Sequence, residues 1–145
     1  MTAPPSEKDP LAIGLGALGA GAGLGGGTIV AALVIVRTLE HHVSAPNYQE
    51  GAADPILAGT MAGLAVGATF GWRRSRWLDN LWQRGVIGAL SAVGALLLGF
   101  IAWPIDRLLG LAGLAVWGVA SFVLGGAASV WAVRGSRDDA LRDPE

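Results

Sequence analysis

Residues 55–76 read PILAGTMAGLAVGATFGWRRSR, an uncharged apolar run closed by three arginines. Within it Gly59, Gly63, Gly67 and Gly71 recur every four residues, the GxxxG spacing. Residues four apart on an α-helix lie on one face, so this stretch carries a groove without side chains. In water such a groove is a liability, since each mid-helix glycine costs roughly 0.5–1 kcal/mol relative to alanine. In a bilayer it has a use. Lipid tails are as apolar as leucine, so helices associate by close backbone approach, which small-xxx-small faces permit. The stretch predicts a membrane-spanning helix packed through its glycines, and the rest of the chain reads as its partners.

Composition supports a membrane protein. Charged residues make up 14% of the 145 residues, where a soluble domain would carry about 25%. Cysteine is absent, which excludes disulfides and thiolate metal sites. The basic residues are nine arginines and one lysine, without the long cluster that a nucleic-acid-binding surface needs.

Working outward, the amino-terminal segment 1–10 is rich in proline and charge and reads as a disordered tail. No charged residue interrupts 11–36, a run long enough to cross a hydrocarbon core that needs about 20 helical residues. It is also about twice the length of a secretory h-region, so it is read as a span and not as a cleaved leader. Gly19, Gly23 and Gly27 share a face of this segment and are expected to meet the ladder of the second span. The bulky residues from Ile29 to Val36 are expected to face lipid. A polar connection follows, and Asp54-Pro55 suits the start of the second helix, with Asp54 as cap.

Beyond the second span (55–72), Trp72, Trp77 and Trp82 alternate with Arg73, Arg74, Arg76 and Arg84, an interfacial belt. Its apolar side predicts a short helix along the membrane surface. A third span covers 86–103, a tight turn at Asp106-Arg107 follows, and a fourth span covers 108–133. In the fourth, Gly118, Phe122 and Gly126 form one stripe. The expected fold is an all-α integral membrane protein: a bundle of four transmembrane helices packed through Gly, Ala and Ser faces. It forms one domain over 11–134, with a second tail at 135–145. Ala62-Gly63-Leu64-Ala65-Val66 recurs as Ala112-Gly113-Leu114-Ala115-Val116, a hint of a parallel two-plus-two repeat.

With four spans, Lys8, Arg73, Arg74, Arg76, Arg84, Arg134, Arg137 and Arg142 lie on one side, and only Arg37 and Arg107 on the other. The positive-inside rule then places both termini in the cytoplasm of a multi-pass inner-membrane protein. The preference for arginine over lysine, with abundant Ala and Gly, suggests a GC-rich bacterial genome.

The run from Gly14 to Gly27 resembles the glycine-rich helix of rotary ATP synthase ring subunits over about one span. Those subunits pair it with a helix bearing an ion-binding carboxylate. The second span here has none, so that function is rejected. No carboxylate or histidine lies in any expected span, which argues against proton coupling. The polar inventory of the spans is Thr28, Thr60, Thr69, Ser91, Ser121 and Ser129.

Glu40-His41-His42 is the one cluster with metal, haem or pigment potential. Adjacent histidines point about 100° apart on a helix, which disfavours a shared site. Arg73, Arg74, Arg76 and Arg84 serve as topology determinants or as ligands for an anionic lipid head group. Gly14-x-Gly16-x-x-Gly19 matches a dinucleotide fingerprint as a string but lacks the preceding strand, and no catalytic constellation is present.

The expected function is that of a non-catalytic accessory or structural subunit, with no cofactor. It would dock through glycine faces onto other membrane subunits or onto itself, with membrane lipid as its other partner and nucleic acid as none. The alternative is a homo-oligomeric channel or facilitator for a neutral or weakly polar solute, lined by Thr60, Thr69, Ser91 and Ser121. A weaker alternative is a haem- or pigment-holding subunit using His41 or His42.

Overall fold

The computed structural model describes residues 10–42 and 53–134, and every regular element among them is helical. Helix α1 spans Pro10–His42, α2 spans Ala53–Arg74, and α3 spans Leu81–Arg134, with one 3-10 turn at Ser75–Trp77. Three helical stretches are long and apolar enough to cross a membrane: Pro10–Glu40, Pro55–Arg74 and Leu81–Trp131. The expected third and fourth spans both fall within the last of these stretches.

The turn expected at Asp106-Arg107 is absent, because the helix continues through Trp103 and Pro104. Proline withholds one N–H and leaves a single carbonyl without its helical donor, a loss that apolar helices tolerate. The backbone departs from helical geometry at Gly110, with φ 63° and ψ −157°, a conformation open in practice to glycine alone. There α3 turns back on itself. Trp117 Nε1 donates a 3.0 Å hydrogen bond to the Leu98 carbonyl, whereas 19 residues of straight helix would separate them by about 28 Å. Both halves of α3 reach α1: Gly99 packs on Ile29 and Gly118 on Val30.

Helix α1 occupies the centre. Over its most apolar window 56% of the residues are buried, against 17% for α2 and 22% for α3. Its glycines explain this, since without side chains it accepts neighbours on several sides. A β-carbon on Gly21 would stand 2.5 Å from the Gly67 carbonyl of α2 and 2.6 Å from the Ser91 β-carbon of α3. One on Gly25 would meet the Gly63 carbonyl at 2.5 Å and the Ala95 β-carbon at 2.7 Å. The face of Gly19, Gly23 and Gly27 was expected to meet α2. It meets the second half of α3 instead, at Ala128, Gly125 and Phe122. Gly21 and Gly25 are the mates of the α2 ladder, because an offset of two residues turns them about 200° around α1, to nearly the opposite face from Gly19, Gly23 and Gly27.

The ladder itself changes partner along its length. Four residues advance a 3.6-residue helix by about 40° beyond a full turn, so the row drifts around α2. Gly59 and Gly63 abut Ala32 and Ile29 of α1. Gly67 lies 3.2 Å (as a β-carbon) from carbonyls of both α1 and α3, and Gly71 abuts Ser91 of α3. Gly126, on the stripe with Gly118 that is expected to pack, meets nothing: a β-carbon there has no atom within 4 Å. Its neighbour Gly125 takes the contact, against Gly23 and Leu24.

Ile29, Val30 and Val36, expected to face lipid, are buried. Where the glycines of α1 end, the helices separate enough to need larger side chains, and Val30 joins Ala102 and Leu114 in a core cluster. Between α2 and α3 there is no separate surface helix. Ser75 Oγ donates to the Trp72 carbonyl at 2.9 Å, and the Leu78 N–H donates to the Ser75 carbonyl at 2.9 Å, closing the turn. Asn80 Oδ1 accepts from the Trp82 N–H at 3.0 Å, an N-cap that starts α3.

Candidate functional site

Charged side chains collect at the two ends of the helices. At one end, Arg37 near the close of α1 reaches Asp106, which precedes the Gly110 turn of α3. Arg37 Nε donates to Asp106 Oδ2 at 2.9 Å, Nη2 donates to the same oxygen, and Nη1 donates to Glu40 Oε2 at 3.1 Å. The Asp106 side chain is only 12% exposed, so these hydrogen bonds replace most of its water. Beside the ion group lies a cavity of about 200 Å³ walled by Leu33, Ile56, Trp103 and Leu114. Arg107 rests over the Trp103 ring, 4.8 Å from its centre. Sequence reading missed Arg37–Asp106 because the two residues lie 69 positions apart and outside the apolar runs.

At the other end, the last turn of α2 and the 3-10 turn bring Arg73, Arg74 and Arg76 around one cleft of about 250 Å³, with Phe70 as its apolar wall. Phe70, Arg73 and Arg74 stand at i, i+3 and i+4 and so share a face. Arg84 was grouped with these arginines but is held elsewhere: its guanidinium lies over the Trp72 ring, 5.1 Å from the centre. The Arg84 Nε is buried there and has no hydrogen-bond partner. From Ile56, in the wall of the first cavity, to Arg73 in the second, the helical rise is about 26 Å. The two charged ends thus bracket a length close to the roughly 30 Å hydrocarbon core of a bilayer.

The hydroxyls between these ends are not gathered together. Thr28, Thr60, Thr69 and Ser121 donate to carbonyls of their own helices at 2.7–2.9 Å. Ser91, fully buried, reaches the Leu18 carbonyl of α1 at 3.5 Å. Thr69 faces outward, while Ser91 sits where α1, α2 and α3 meet and Ser121 lies against Gly23. None of them lines either of the two cavities at the helix ends. His41 and His42 are the last two residues of α1, and their side chains lie outside the described ones. Among the described residues, no three of His, Asp or Glu come together as a metal site. Comparisons with protein-family models, curated proteins and solved structures find no match to this chain.

Proposed function

We propose that this chain is a non-catalytic, multi-pass membrane protein serving as an accessory or structural subunit of a larger membrane assembly. The observation that carries this reading is the dispersal of its hydroxyls. A solute path needs polar groups on a shared wet surface. Here Thr60, Thr69 and Ser121 are engaged by their own helices and Ser91 is enclosed at a helix junction. Close glycine contacts between the helices support a body packed tightly around α1.

In this reading the chain crosses four times, because each half of α3 exceeds the about 20 residues that a span needs. Both termini then lie on the arginine-rich side, in the cytoplasm of a bacterial inner membrane. The outer face of α3 supports docking: Ile105, Leu109, Gly113, Val116 and Trp117 border an apolar groove of about 360 Å³. A neighbouring transmembrane helix fits such a groove.

Gentle extraction from native membranes, followed by mass determination and identification of what co-purifies, tests the proposal. A stoichiometric complex with other membrane subunits is expected. A pure homo-oligomer would replace it with the channel reading, to be pursued by solute flux in liposomes. A lone monomer would defeat both.

A further inference from the structure

We propose that the cleft of Phe70, Arg73, Arg74 and Arg76 is a binding site for the phosphate of an anionic phospholipid. The inference rests on the membrane-spanning reading of α2 but not on any partner subunit. Its first ground is convergence. The carbonyls at a helix C-terminus attract cations, and here Arg73, Arg74 and Arg76 line one cleft together. Among the described residues, neither Arg73 nor Arg74 has a carboxylate within ion-pair distance. Arg73 and Arg74 are adjacent like charges, and an anion beside them relieves their repulsion. Guanidinium also matches phosphate geometry through paired N–H donors.

The second ground is position. The cleft opens at the level of Trp72 and the Arg84 stacked upon it, the kind of aromatic and basic pairing found at the headgroup depth of a bilayer. The third ground chooses a lipid over a soluble phosphate. Phe70, 42% exposed, gives the cleft an apolar wall on the membrane side. Leu57, Met61, Ala65, Thr69 and Arg73 form a row of i+4 neighbours, all exposed, on the side of α2 away from its glycines. An acyl chain descending from a phosphate held at Arg73 has this row to lie against. A soluble anion would make no use of it.

The test is lipid binding to the full chain in neutral detergent, read by native mass spectrometry with phosphatidylglycerol and with phosphatidylcholine. Wild type is expected to retain phosphatidylglycerol preferentially. R73Q and R74Q should each lower that preference about fivefold, the gain expected of one basic residue at an anionic surface. R84Q removes the same charge from the same end of the molecule, but from a side chain committed to Trp72, and should change it less than twofold. An equal loss in R84Q would mean diffuse attraction and would overturn the site. So would equal retention of the two lipids by wild type, or unchanged preference in R73Q and R74Q. Displacement of the lipid by millimolar inorganic phosphate would reassign the cleft to a soluble anion. Should the variants fail to fold, wild type alone decides: one phosphatidylglycerol retained per chain is expected, and a graded series of bound lipids without a preferred stoichiometry would refute the proposal.

Discussion

Gly25, Gly110 and Gly126 are the same residue in three physical situations, and alanine separates them. At Gly25 a β-carbon would stand 2.5 Å from the Gly63 carbonyl, so G25A must push α1 and α2 apart. Over-packing of this kind costs about 1–3 kcal/mol, and thermal unfolding in mild detergent should show the loss. At Gly110 there is no obstruction within 4 Å, yet φ is 63° and ψ is −157°. G110A should therefore destabilise by about 1–3 kcal/mol through backbone strain alone. Gly126 is both open and helical, so G126A should be neutral or stabilising by roughly 0.5–1 kcal/mol in the same assay. Equal responses at the three positions would show that glycine content, and not contact geometry, sets stability. Sequence alone marks all three as small. It does not distinguish them, because spacing identifies a face and says nothing of what that face meets.

At the scale of the element, four-residue spacing groups the glycines of α2 on a face but names none of the neighbours they meet. The repeated Ala-Gly-Leu-Ala-Val shows why. Gly63 packs against Ile29 of α1, while the corresponding Gly113 packs against Leu109 of its own helix. Identical local sequence thus serves two different surroundings, and tertiary placement decides between them. The opposite case is Arg37 with Asp106, whose local sequence carries no signal and whose contact joins α1 to α3 beside the turn. Asp106 is mostly withdrawn from solvent, so removing Arg37 leaves a carboxylate short of partners. R37Q and D106N should each destabilise, and the double variant should cost less than their sum. A coupling of about 1–2 kcal/mol is expected, in keeping with a charged hydrogen bond at a partly exposed site. Additive losses would mean that the pair does not hold the two helices together. High salt should weaken the coupling only in part, because Asp106 is shielded while Arg37 and Glu40 remain in contact with solvent.

At the scale of the molecule, the decisive quantity is the number of crossings, and the absence of cysteine makes it accessible. Three helical stretches are long and apolar enough to cross a membrane. Apolar length does not settle how often the chain crosses, because 81–131 reads as one continuous apolar helix unless the fold at Gly110 is taken into account. The hydrogen bond from Trp117 to Leu98 requires that the halves of α3 lie side by side. In the four-span reading, Arg107, just before the turn, lies on the face opposite to Asp79, which precedes α3. Both side chains are exposed, so a cysteine at either position is open to reagent. In intact spheroplasts a membrane-impermeant maleimide should label R107C and leave D79C unlabelled until the membrane is opened. D79C labelled from outside and R107C protected would invert the orientation while keeping the crossings. Labelling of both from one side would remove the crossing between them, and with it the four-span reading. The arginine count favours the first outcome, since Arg73, Arg74, Arg76 and Arg84 flank Asp79, whereas Arg107 has only Arg37 for basic company at its end.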